Sequence, residues 1–200
     1  VCFVFRQDRL DLQSITNSPG AVIPPNDSVE LSRKWDGPLC RSRLVNHGRQ
    51  AVRIKEVVLF SFPLNMPPST KLYGEGFQML SQTGGSLARP VDYSAYTDAK
   101  HYKLETPSGE RALYGMVLLS ESANHNLLAF TSCRRFSGQF YLGDGSLKVV
   151  IDTEDLELQP GETCELEEFT FRSGRDRGDL LRQLADRLAT NHKPLQFKSP

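Results

Sequence analysis

Apolar and polar residues alternate along most of this chain with the two-residue period of half-buried strands. Val52, Ile54, Val58, Phe60 and Phe62 lie in phase, and only Glu56 breaks the series. Residues 113–121 and 126–133 are apolar runs separated by the polar Ser122-Ala-Asn-His-Asn126. Residues 139–142 and 146–152 flank Gly143-Asp-Gly145, a short hairpin signal. Residues 156–158 and 164–171 flank a second tight turn, Gln159-Pro-Gly-Glu162. Residues 41–45, Asn46-His-Gly48 and residues 50–64 read as a further hairpin, closed at Asn-x-Gly. Short strands every 8–12 residues or so predict an antiparallel sandwich or barrel, and no strand–helix alternation suggests a parallel doubly wound sheet.

The chain ends differently. Asp179-Leu-Leu-Arg-Gln-Leu-Ala-Asp-Arg-Leu-Ala-Thr190 has helical spacing: Leu180, Leu181, Leu184, Ala185 and Leu188 form one stripe. Arg182, Gln183, Asp186 and Arg187 take the other side. A lone helix of about 12 residues is marginal in water, so this one must dock, with part of its leucine stripe left exposed. Pro194-Leu-Gln-Phe-Lys-Ser-Pro200 then reads as a connector, and Val1-Cys-Phe-Val-Phe-Arg6 as the middle of a strand. The expected division is a β domain over 1–175, then a linker helix and connector over 176–200. Two stretches break the strand rhythm. Residues 19–27 are expected to be a surface loop, and residues 63–109 a long loop region of the kind that carries interactions.

Composition narrows the class. The 200 residues are 38% hydrophobic and 24% charged, as in an ordinary globular protein. Lys plus Arg total 24 and Asp plus Glu total 24, so net charge offers no argument for nucleic acid or an anionic membrane. No apolar run approaches the roughly 20 residues that span a bilayer. Cys2, Cys40, Cys133 and Cys164 lack the paired spacing of a zinc site and read as reduced, mostly buried thiols. The sequon Asn26-Asp-Ser28 is no evidence of secretion, and the default compartment is cytoplasmic.

Candidate chemistry is thin. Gly74-Glu-Gly-Phe-Gln lacks the third glycine and the Lys-Ser/Thr of phosphate loops, so a bend passing close to another surface is the better reading. There is no GxSxG. His47, His101, His125 and His192 fall in predicted turns or linkers, without metal-ligand spacing. Asp152-Thr-Glu-Asp155 reads as a solvated turn. Glu75, Asp92 and Asp98 are the carboxylates that could pair for glycoside chemistry. Trp35, Tyr73, Phe77, Tyr93, Tyr96 and Tyr102 could offer rings to a sugar or anchor the loop instead. No catalytic residue, metal ligand or cofactor site is assigned.

Four features taken in order carry a resemblance: Trp35-Asp-Gly37, Arg43-Leu-Val-Asn46-His-Gly48, Tyr73-Gly-Glu-Gly-Phe-Gln78, and the closing strand–Pro160-Gly-Glu162–strand–helix. From about Trp35 onward the chain resembles the N-terminal domain of glycoside hydrolase family 36, the α-galactosidase-like (melibiase) enzymes of carbohydrate metabolism. The resemblance implies a mainly β fold, a galactose mutarotase-like antiparallel β-supersandwich, followed by one linker helix to a (β/α)8 barrel. The family's nucleophile and acid/base are aspartates on that barrel, so the resemblance implies no catalytic residue and no cofactor in this chain. It implies a non-catalytic domain supporting the barrel of the same polypeptide, with an α-galactoside at the domain boundary and homo-oligomerisation of the full-length protein as further expectations. Tyr73, Glu75, Phe77 and Gln78 are then a substrate-proximal or interdomain loop, and Leu180, Leu181, Leu184 and Leu188 an interdomain helix face. Two alternatives stand beside it: an independent carbohydrate-binding module, and a mutarotase-like enzyme using His101 and Glu75 as acid and base.

Overall fold

The computed structural model describes residues 28–78, 80–104, 106–143 and 145–193 in full, and the backbone of 2–5 and 22–26. The connector 194–200, the side chain of Cys2 and most of the expected loop at 19–27 lie outside the described residues. Strands β1 (Cys2–Phe5) and β2 (Val22–Asn26) precede a hairpin of β3 (Val29–Asp36) and β4 (Leu39–Asn46). Residues 22–26 are thus a strand paired with β3 rather than loop. Asp36 pairs with Leu39, so the hairpin turn has two residues, and Gly37 takes φ +56° there. That conformation accounts for the glycine of Trp35-Asp-Gly37.

The long strand β5 (Val52–Pro63) follows. The region expected as loop then holds three short strands, β6 (Lys71–Glu75), β7 (Thr83–Ser86) and β8 (Arg89–Asp92), and one helical turn, α1 (Asp98–His101). Glycines at 74, 76, 84 and 85 hide the strand pattern there. β9 (Arg111–Glu121), β10 (Asn124–Phe130), β11 (Ser137–Gly143), β12 (Ser146–Leu158), β13 (Thr163–Glu165) and β14 (Phe169–Gly174) lead to the long helix α2 (Arg177–His192).

Among the described residues the strands pair in the order β1-β5-β12-β11-β9-β10-β14-β4-β3-β2. β13 adds to β4, and an annex of β6, β7 and β8 adds to β9. Among the described residues only β1 with β5 is parallel. The path folds over on itself into two layers. Trp35 on β3 stands 5.7 Å from Phe60 on β5, and Phe60 stands 5.5 Å from Phe169 on β14. Those strands are far apart in the pairing order, so their rings meet across the core. The fold is mainly antiparallel β with one long closing helix, as expected.

Glu56 breaks the alternation of β5 for a structural reason. Phe3 pairs with Ile54 but Val4 with Glu56, so Lys55 is an extra residue. Val149 pairs with Phe60 but Val150 with Val58, which makes Leu59 a second one. Each bulge reverses which side chains face inward. Val57 and Leu59 therefore join the core, whereas Val58 turns to the opposite face with Tyr141 and Val150. Across from Lys55, β12 bulges too: Glu154 and Asp155 have φ +53° and +61°, and Lys55 Nζ reaches Asp152 Oδ1 at 2.8 Å. The expected turn at 152–155 is this bulge.

One expected hairpin does not form. β4 and β5 are not partners; the bend at 46–51 carries the chain from one layer to the other. The tight turn at 159–162 makes a second crossing, from β12 to β13 beside β4. Both crossings converge on Asn46, which is fully buried. Its N–H donates to the Glu162 carbonyl at 3.0 Å and its carbonyl accepts from Gly161 N at 2.7 Å. Its side-chain Nδ2 donates to the carbonyls of Gln50 and Leu158, each at 2.9 Å. Its Oδ1 accepts from Gly48 N at 2.9 Å.

Replacing Asn46 with alanine removes three side-chain hydrogen bonds and strands a buried carbonyl, so Asn46→Ala should destabilise the fold by about 2–4 kcal/mol. Urea unfolding of the two proteins checks this, and an unchanged midpoint contradicts it.

Candidate functional site

The annex places the Tyr73–Gln78 segment. β6 pairs with β9 from Lys71 opposite Ser120 to Glu75 opposite Tyr114. A Cβ on Gly74 would lie 2.9 Å from the Leu113 side chain, and one on Gly76 would collide with the Ser81 carbonyl. The glycines of this motif therefore allow close packing, as the bend reading expected. Between them, Tyr73 Oη donates to Glu75 Oε1 at 2.5 Å. Burial, together with that bond, pushes the Tyr73 phenol up to about 12. Phe77 N donates to Asp98 Oδ2 at 2.7 Å, and Gln78 Nε2 to the Tyr96 carbonyl at 3.3 Å.

The three candidate carboxylates all serve as acceptors inside the annex. Glu75 holds Tyr73, Asp98 also accepts from Ser81 Oγ at 2.6 Å, and Asp92 accepts from Arg111 and Thr83. The rings form a row: Tyr96 to His101 at 5.6 Å, His101 to Tyr102 at 5.5 Å, Tyr102 to Phe77 at 5.4 Å and Phe77 to Tyr114 at 5.6 Å. His101 thus packs among rings, while Glu75 bonds to Tyr73. Phe77, Tyr93, Tyr96 and Tyr102 remain largely exposed. Trp35 stands apart, in the core with Phe60 and Phe169.

Helix α2 is capped by Asp176, whose side chain accepts from Asp179 N at 3.1 Å. Leu180 and Leu184 bury against Leu118 of β9 and Leu127 and Ala129 of β10, with Tyr73, Met116 and Leu188 at the margin. Leu181 stays 36% exposed, so part of the stripe does face outward. Two separately predicted groups, the Tyr73 segment and the leucine stripe, therefore meet over the outer face of β9. A groove of about 450 Å³ lies between them, and Lys71, Tyr73, Glu75, Tyr93, Arg177 and Leu181 contribute to its walls.

A polar latch holds the other half of the helix. Arg187 Nε and Nη2 donate to the two oxygens of Glu168 at 2.7 and 2.6 Å. Thr131 Oγ1 donates to Glu168 at 2.6 Å, Asn191 Nδ2 at 3.1 Å and Arg41 Nε at 3.1 Å. Burial pushes this carboxyl up, but the donors from Arg187, Thr131 and Asn191 outweigh it and hold it at about 2. Glu167 beside it is also lowered: the Ser132 hydroxyl and the N–H groups of Arg135, Phe136 and Arg134 overcome its burial. None of Lys71, Ser120, Arg177 or Glu168 stood out in the sequence. Glu168 could not, because its partners lie 19 to 127 residues away.

The histidines make local contacts. His47 bonds to Glu30 at 2.8 Å, and His192 Nε2 accepts from Cys133 N at 3.3 Å. His125 sits on β10, not in a turn, because Asn124 already pairs with Glu121 across a two-residue turn. Among the described residues no three His, Cys, Asp or Glu side chains cluster as a metal site. Cys40 and Cys164 are buried and Cys133 is exposed. No helix among the described residues is long and apolar enough to cross a membrane.

No family model and no curated protein matches this chain. Among solved structures it is similar to GH36 α-galactosidase AgaB from Geobacillus stearothermophilus, at 14% identity and a TM-score of 0.44, covering 74% of this chain and 22% of that one. An α-galactosidase from Lactobacillus brevis is 8% identical with a TM-score of 0.43, covering 92% of this chain and 27% of that one. A candidate aldose 1-epimerase from Escherichia coli K12 is 11% identical with a TM-score of 0.38, covering 78% of this chain and 69% of that one. The chain therefore spans about a quarter of the length of the α-galactosidases it matches.

The latch predicts a specific acid sensitivity. Glu168 is lowered from 4.5 to about 2, so its contribution is complete above about pH 5 and is lost as pH falls toward 2. At neutral pH that contribution is about 3 kcal/mol. Glu168→Gln should lower stability at pH 7 by about 2–3 kcal/mol and flatten the decline between pH 5 and pH 2, with Glu167 leaving a residual slope. Thermal unfolding across that range checks it, and parallel pH profiles for the two proteins contradict it.

Proposed function

We propose that this chain is the non-catalytic N-terminal β-supersandwich domain of an α-galactosidase-like retaining glycoside hydrolase. In this reading residues 1–175 form the sandwich, and α2 is a strut leading to a (β/α)8 barrel of the same polypeptide. The carrying observation is how α2 is mounted. Leu180 and Leu184 bury one flank, the Glu168–Arg187 latch fixes its direction, and Leu181 is left outward beside the annex. A helix held this firmly at both ends, with apolar surface to spare, suits an interdomain element. The ordered motifs from Trp35 to the closing helix support the family assignment.

The annex supports the non-catalytic part of the reading. Glu75, Asp92 and Asp98 each hold neighbouring groups in place. The exposed rings of Phe77, Tyr93, Tyr96 and Tyr102 would face the barrel's substrate end or an adjacent subunit. We assign the protein to the cytoplasm on its free thiols.

Incubated with p-nitrophenyl α-galactoside, the 200-residue chain should show no turnover above the uncatalysed rate. Turnover that Asp98→Asn abolishes would overturn the reading. In the polypeptide that joins this chain to a barrel, deleting 1–175 should cost most of the activity or the soluble assembly. A deletion variant with unchanged activity, oligomeric state and stability would sink it equally.

A further inference from the structure

The groove between α2 and the annex has the makings of a binding site that the sandwich core does not require. Its volume, about 450 Å³, suits a ligand of monosaccharide size. Met116 and Leu118 form an apolar floor. Two further apolar surfaces line it: the Tyr93 ring from the annex and Leu181 from the helix, 64% and 36% exposed. Tyr93 is held in place, since its N–H donates to the Gln82 carbonyl at 3.0 Å and its phenol lies where a Cβ on Gly84 would be. Only glycine permits that approach.

The rim carries groups of both signs. Lys71 and Arg177 bring cationic donors, Glu75 brings a carboxylate, and Tyr73 and Ser120 bring hydroxyls. Glu75 and Tyr73 are already oriented by their 2.5 Å bond, and Ser120 by His125 at 2.8 Å. A simple anion would suit Lys71 and Arg177 but meet Glu75. A simple cation would suit Glu75 but meet the other two. A purely apolar side chain would fill the floor and leave the rim without partners. A neutral polyol suits all of them, because each hydroxyl both donates and accepts and its C–H faces lie flat on a ring.

We propose that this groove binds a neutral monosaccharide-sized sugar, with Tyr93 as the stacking face and Glu75, Lys71 and Arg177 as the hydroxyl partners. The site shares Leu181 and Tyr93 with the interdomain face proposed above, and the hydrolysis and deletion assays test that assignment separately. The experiment follows amide resonances of the isotope-labelled chain during titration with D-galactose. Shifts should concentrate at Tyr73, Glu75, Tyr93, Met116, Ser120 and Arg177 and saturate with a Kd on the order of a few millimolar. Tyr93→Ala and Arg177→Ala, both at exposed positions, should each weaken binding about tenfold while the rest of the spectrum stays native. No shifts up to about 50 mM galactose would overturn the proposal at this ligand size. So would shifts unaffected by either substitution, or sodium phosphate moving the same amides while galactose moves none.

Discussion

The chain crosses twice between the two layers of this protein, and one buried amide makes those crossings tolerable. A crossing interrupts the strand ladder and leaves backbone groups without a strand partner in a place water does not reach. Asn46 stands at both crossings and answers them with donors and acceptors on one residue. An aspartate there would offer acceptors only, and an aliphatic residue nothing. With the crossings secured, β5 can lie against β3 and β14, and Trp35, Phe60 and Phe169 can meet between the layers.

The outer surface follows from the same arrangement. The core claims alternate residues of β9 and β10, which leaves Leu118, Leu127 and Ala129 facing outward on the opposite side. An apolar patch of that kind calls for a cover, and α2 supplies one. Two leucines alone would allow the helix to slide or swivel, because apolar contact is not directional. The latch on Glu168 is directional. A forked guanidinium against a carboxylate with three further donors fixes both the angle and the position of the C-terminal half.

How far the sequence revealed this depended on the range of the interactions. The strand class, the two-residue turn at Gly145 and the helix were legible, because alternation, turn chemistry and the leucine stripe are local signals. Even the anomaly at Glu56 was a true signal, and it marked a bulge. The annex strands were missed because glycines at 74, 76, 84 and 85 erase the alternation where the backbone passes close to Leu113, Ser81 and Tyr93. The hairpin read across Asn46-His-Gly48 was wrong for a related reason. Asn-x-Gly signals a tight bend, but whether the next strand pairs or crosses depends on contacts more than a hundred residues away, such as Asn46 with Leu158. The candidate segment at Tyr73–Gln78 was visible, while half of the groove beside it comes from Arg177 and Leu181 on the helix.

That shared wall ties α2 to the groove. Leu181 lies 11 residues before His192, the last residue of α2, or about 16 Å along the axis. In the proposed reading a domain carried on α2 would be attached at the latch end, while the groove opens near the other end, beside Arg177. Tilting the helix by even a few degrees about the latch would move Leu181 relative to Tyr93, which is fixed to the annex and not to the helix. The latch thus sets the width of the groove as well as the direction of α2. A polar lock in place of more buried leucine makes physical sense here: it holds the helix without covering the face that Leu181 presents.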